Sequence, residues 1–91
     1  MSRVVEVRIT GRVQGVGFRL WTRMEARRRD LAGWVRNEVD GSVSALLSGP
    51  GDEVEDMLRA LRHGPPSARV DDVRAEIPAS EPALPHPFET R

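Results

Sequence analysis

Three of the seven residues from Gly11 to Gly17 are glycine, in the run Gly11-Arg12-Val13-Gln14-Gly15-Val16-Gly17-Phe18-Arg19. Glycine admits backbone shapes that side chains resist, so this run constrains the chain more than any other: whatever precedes and follows it must be joined by a sharp, irregular turn. Before it, residues 4–10 place Val5, Val7 and Ile9 on one face and Glu6, Arg8 and Thr10 on the other, the alternation of a half-buried strand. After it, from about Phe18 to Asp30, there is no Pro or Gly, and Leu20, Met24, Glu25, Ala26 and several Arg favour a helix. The glycines therefore connect a strand to a helix.

The apolar row of that helix, Phe18, Thr22 and Ala26, ends on Arg29, whose charged head is expected to lift into solvent over a buried stem. Leu31 to Val39 returns to strand character. Asp40-Gly41 predicts a type I′ hairpin, pairing residues 42–48 antiparallel with 33–39 and setting Val43, Ala45 and Leu47 on one face. Gly49-Pro50-Gly51 closes that strand, and Asp52, Glu53, Glu55 and Asp56 load the N-terminus of a second helix. Val54, Met57, Leu58 and Leu61 give it one apolar stripe. Arg59, Arg62 and His63 occupy its last turn, Gly64 is placed for the cap, and Pro65-Pro66 forbid continuation. Residues 69–77 alternate through Val73, Ala75 and Ile77 as a fourth strand. A Pro-rich extended segment at about 78–87 leads to a short last strand at Phe88 to Arg91. The order β-α-β-β-α-β over residues 1–91 predicts one α+β domain, a ferredoxin-like sandwich whose antiparallel sheet carries both helices on one face.

Composition removes several chemistries. All 14 basic residues are Arg, so a lysine Schiff base and a Walker lysine are impossible, and Cys and Tyr are absent, which removes thiolate nucleophiles, disulfides and Cys-based metal sites. The two His, His63 and His86, are too few and too far apart in sequence for a metal centre. Fourteen acids balance the 14 Arg, which speaks against a protein that coats polyanions. The balance is uneven along the chain: residues 1–45 hold nine Arg against five acids, and residues 46–91 hold five against nine. The N-terminal half should attract anions. Trp21 and Trp34 read as packing residues, and with only Phe18 and Phe88 beside them, single-strand RNA binding on the sheet is a weak reading. No stretch approaches the roughly 20 apolar residues of a membrane span, so a soluble, cytoplasmic protein is the expectation, and a net charge of zero makes a monomer the simplest one.

An anion site in this chain must use Arg or backbone amides. The loop Gly15-Val16-Gly17-Phe18-Arg19 brings N–H groups to a helix N-terminus, where unsatisfied donors and the dipole favour an anion, and a guanidinium from Arg19 would close the cradle. An Arg in the first helical turn opposes the dipole unless an anion lies between them. The third Gly of a dinucleotide fingerprint is missing and no Lys-Ser or Lys-Thr follows, so nucleotide binding is not expected.

The run Gly11 to Arg19, then Gly33-Trp34-Val35-Arg36-Asn37, Asp40-Gly41-Ser42-Val43 and Gly64-Pro65-Pro66 closely resemble the acylphosphatases, in the right order and over nearly the whole chain. The resemblance implies hydrolysis of small acyl phosphates to carboxylate and phosphate without metal or organic cofactor. It implies that Arg19 and the amides of Gln14, Gly15, Val16, Gly17, Phe18 and Arg19 hold the phosphoryl group, and that Asn37 orients the attacking water. This chain departs from the family pattern at Arg29-Asp30, where Leu-Gly is common, and at Thr90, where an aliphatic residue is usual. The alternative implied by the same fold is a non-catalytic, phosphate-binding regulatory module, since the fold also occurs as a sensor domain and within larger carbamoyl-phosphate-processing proteins.

Overall fold

In the computed structural model, which describes residues 1–91, the alternating run near the N-terminus is the middle of an eleven-residue strand, β1 (Ser2–Arg12). It is followed by α1 (Phe18–Arg28), β2 (Ala32–Asn37), β3 (Val43–Pro50), α2 (Gly51–His63), β4 (Arg69–Glu76) and β5 (Glu89–Thr90). The sheet runs β4-β1-β3-β2-β5. Among the first four strands every neighbouring pair is antiparallel, as the ferredoxin-like order requires, but β5 lies parallel to β2, with Trp34 opposite Glu89 and Val35 opposite Thr90, so the sheet is mixed. No helix is long and apolar enough to cross a membrane.

One parity of each inner strand faces the helices. Val5, Val7 and Ile9 of β1, Val35 of β2 and Val43, Ala45 and Leu47 of β3 are fully or almost fully buried, and they pack with Phe18 and Ala26 of α1 and Val54, Met57, Leu58 and Leu61 of α2. Burial of this shared face is the dominant favourable term for a chain of this size. The stripe read on α2 is the buried set, and its C-terminal end is as expected: Gly64, at φ 67°, donates to the Ala60 carbonyl at 3.0 Å. Trp34 and Leu46, paired across β2 and β3, are buried on the opposite face, and the Arg36 and Arg91 guanidinium carbons lie 4.5 and 5.3 Å from the Trp34 ring centre.

Four expectations are corrected. The β2–β3 connection is not a type I′ turn: Asp40 does not take positive φ, the Gly41 N–H bonds the Glu38 carbonyl at 3.2 Å, and Gly41 alone is left-handed at φ 95°. That is a turn over Glu38 to Gly41 that ends on a left-handed glycine, and it fits the pairing of Asn37 with Val43. The helix α1 stops two residues before Asp30. Asp30 itself is left-handed at φ 55°, and the Leu31 N–H to Ala26 carbonyl and Asp30 N–H to Arg27 carbonyl bonds complete the usual two-bond cap, so Asp fills the place that glycine prefers. Arg29 does not reach solvent. Its side chain is only 8% exposed because Glu25 and Asp56 both bind the guanidinium, at 2.8 Å, and tie α1 to α2. In β4 only Val73 is buried; Ala75 and Ile77 are exposed because this strand forms the edge of the sheet, and Ile77 lies beyond its end.

The C-terminal segment docks through bonds to main-chain carbonyls. Gly33 N–H donates to the Pro85 carbonyl at 2.8 Å, Arg27 Nε to the Phe88 carbonyl at 2.8 Å, and Arg91 N–H to the Val35 carbonyl at 2.8 Å, while the Phe88 ring is fully buried.

Two outcomes follow for stability. The Thr22 hydroxyl is buried on the core face of α1 without a hydrogen-bond partner. Thr22→Val should raise stability by about 1 kcal/mol in urea unfolding, and a loss would mean that the hydroxyl is satisfied in solution. Hydrogen bonds from Arg29, then from Arg28, hold the Glu25 carboxyl below its ordinary value of 4.5, and Arg29 does the same to Asp56 below 3.8. Stability from such depressed groups is present above their unfolded pKa and is lost as pH falls through the folded one. The wild-type urea midpoint should therefore fall more between about pH 6 and about pH 2 than that of Arg29→Met; equal falls would remove this cluster as a source of acid sensitivity.

Candidate functional site

The loop after β1 turns back over the end of β2. Gly15 and Gly17 take φ of 73° and 77°, a region closed to most side chains, and Gly17 is the N-cap of α1. Its carbonyl accepts from the Trp21 N–H at 3.0 Å, the first bond of the helix. None of the N–H groups from Gln14 to Leu20 donates to a main-chain acceptor. A run of open donors at the positive end of a helix is the arrangement that suits an anion.

A cleft of about 300 Å³ lies at this point, lined by Val13, Gly15, Gly17, Phe18, Arg19, Leu20, Arg23, Asn37 and Thr90. It brings together Arg19 from the first turn of α1 and Asn37 from the last position of β2, residues 18 apart in sequence. Asn37 shares strand parity with Val35 and so stands on the helix-bearing side of the sheet. The lining contains two guanidinium groups and one carboxamide, and no carboxylate or imidazole. Arg19 Nη1 donates to the main-chain oxygen of Arg91 at 3.0 Å, which draws the fork across the cleft towards β5.

Gly15, Gly17, Phe18, Arg19 and Asn37, all singled out in the sequence, line the cleft; the side chains of Gln14 and Val16 serve it from behind. Phe18 is buried, its ring 5.5 Å from that of Trp21, and anchors the start of α1 in the core. Val16 packs against the core, and its carbonyl accepts from Ser67 Oγ at 3.1 Å. Gln14 Nε2 donates to the Glu38 and Ser42 carbonyls, both at 2.8 Å. Two acceptors fix the orientation of this amide. Through it the glycine loop is fastened to the turn that follows Asn37, which links the two halves of the cleft.

Val13, Leu20, Arg23 and Thr90 were not read from the sequence as site residues. Leu20 and Arg23 follow Arg19 by one and four positions, so helical periodicity places Arg23 on the same side of α1. Thr90 has no such local signal, because only the parallel pairing of β5 with β2 carries it to the cleft.

Replacing Gln14 with Ala should lower stability by about 1–2 kcal/mol, because two carbonyls lose a partly buried donor. An unchanged unfolding midpoint would show that the loop is held by its other contacts.

Comparison with known proteins agrees with the geometry. The family model described as acylphosphatase matches residues 5–90. An acylphosphatase of Rhizobium meliloti strain 1021 is 58% identical over 81 residues, covering 89% of this chain and 85% of its own, and one of Rhizobium etli is 55% identical over 76 residues, covering 84% and 81%. The crystal structure of acylphosphatase from Bacillus subtilis superposes with a TM-score of 0.90 at 37% identity, over 100% of this chain and 99% of that one. With two long motifs meeting in one cleft and a family match over almost its whole length, the chain belongs to the acylphosphatase family and is an enzyme acting on acyl phosphates.

Proposed function

We propose that the cleft hydrolyses small acyl phosphates by in-line attack of water on the phosphorus, with Arg19 and the amides of Gln14, Gly15, Val16, Gly17, Phe18 and Arg19 holding the phosphoryl oxygens and Asn37 orienting the water. The observation that carries this reading is the meeting of open loop amides, Arg19 and Asn37 in a single cleft. A planar guanidinium can donate two parallel bonds to two phosphoryl oxygens, and the amides add fixed dipoles that need no reorganisation as charge develops.

The bond between water oxygen and phosphorus forms as the bond from phosphorus to the acyl oxygen breaks. The electron pair leaves on a carboxylate, a weak base that needs no acid to protonate it. The water proton passes to an oxygen of the transferred phosphoryl group, so that carboxylate and phosphate are the products. Asn37 suits the task because its carbonyl accepts from water and its NH₂ donates, with no charge to repel the incoming phosphate. This scheme calls on no metal or organic cofactor: positioning and charge stabilisation are what phosphoryl transfer chiefly requires.

Benzoyl phosphate hydrolysis, followed by ultraviolet absorbance in the presence of a chelator, tests it. Asn37→Ala should lower kcat by about 10²–10³ while inorganic phosphate still binds as a competitive inhibitor. Arg19→Ala should lose both turnover and phosphate inhibition. Normal turnover in the Asn37 variant would remove its assigned role, and saturable phosphate binding without hydrolysis by the wild type would favour a regulatory module instead.

A further inference from the structure

Arg23 is the second guanidinium in the cleft, and the hydrolysis of a bare acyl phosphate gives it nothing to do. Of the 14 Arg, nine have a carboxylate within ion-pair distance. Arg19 and Arg27 donate to main-chain oxygens. Arg12, Arg23 and Arg62 have neither, and of these three Arg12 and Arg62 are exposed on the surface, whereas Arg23 is half-buried and lines the cleft. It stands one turn beyond Arg19 at i, i+4, in a helix whose first turn contains no acid. Two like charges at that spacing, near the positive end of the dipole, cost a few tenths of a kcal/mol. No acid lines the cleft to offset them.

The other walls near Arg23 describe what enters. Leu20, 51% exposed, offers an apolar patch in the lining, and Thr90 adds a hydroxyl. With the phosphoryl group on the loop and Arg19, the acyl part has Leu20, Arg23 and Thr90 to contact. A phosphoryl group at Arg19 and a second anion at Arg23 would be separated by about one helical pitch, ~5.4 Å along the axis, a span that a short acyl chain bridges.

We propose that Arg23 is a specificity-determining residue, which makes the cleft selective for acyl phosphates of dicarboxylic acids, whose free carboxylate it receives with help from the Thr90 hydroxyl. The inference rests on the placement of the phosphoryl group proposed above. The guanidinium binds the distal carboxylate equally in ground and transition states, so its contribution falls on KM and not on kcat.

The test compares succinyl phosphate with butyryl phosphate, which have acyl chains of equal length and differ in the terminal carboxylate. The wild type should prefer succinyl phosphate in kcat/KM by about five- to tenfold, the preference should lie in KM, and added salt should shrink it. Arg23→Gln should abolish the preference, Arg23→Lys should keep part of it, and Arg23→Glu should reverse it. Equal ratios in the wild type and Arg23→Gln, with acetyl phosphate turned over by the wild type, would overturn this assignment alone. Failure of the wild type to hydrolyse acetyl phosphate would overturn the hydrolytic reading together with it.

Discussion

A missing methyl group at Gly33 fixes much of this structure. At φ 133°, a Cβ at this position would run into the Leu46 carbonyl and crowd the Phe88 ring at 3.2 Å. Its absence lets the β3 main chain close up on β2 and lets Phe88 settle, fully buried, against the same residue. The Gly33 N–H then reaches the Pro85 carbonyl, β5 pairs with Trp34 and Val35, and Thr90 arrives at the cleft. One residue without a side chain therefore sets the position of a C-terminal segment more than fifty residues away in sequence, and with it one wall of the site.

What was legible in the sequence was what local physics dictates. Period-two runs marked β1 and β3, the stripe from Val54 to Leu61 marked α2, and the glycine loop announced a strand-to-helix turn with open amides. The resemblance added Asn37, which spacing alone would have left as a polar residue near a strand end. What could not be read depended on partners distant in sequence. Arg29 looked like a solvent-facing end to an apolar row because Asp56, on the other helix, was not in view. Ala75 and Ile77 alternate like a covered strand, yet β4 is an edge and lies open. The parallel pairing of β5 has no local signature, so Thr90 was invisible as a cleft residue.

The arginines divide by what surrounds them. Where a guanidinium ties elements together, as Arg29 does between α1 and α2, acids and carbonyls meet it at hydrogen-bond distance. Around the cleft the same residue type is left without a carboxylate, and the neighbouring amides without acceptors. These are local costs to folding, of the kind that concentrate at functional sites. They are tolerated because Gln14 clamps the loop to the β2–β3 turn and Phe18 roots α1 in the core, so the open groups are held in place without satisfying one another.

The placement of the two tryptophans gives the molecule a pair of optical reporters that look in different directions. Trp21 sits beside Phe18 at the root of the glycine loop, on the helix side of the sheet. Trp34 lies on the far side, under the guanidinium groups of Arg36 and Arg91. Docking of the last residues should alter its emission, while that of Trp21 should follow the first turn of α1. With the other indole replaced by phenylalanine, each fluorescence signal would follow one of the two chain segments that build the cleft, so loop ordering and strand docking become separately visible during refolding.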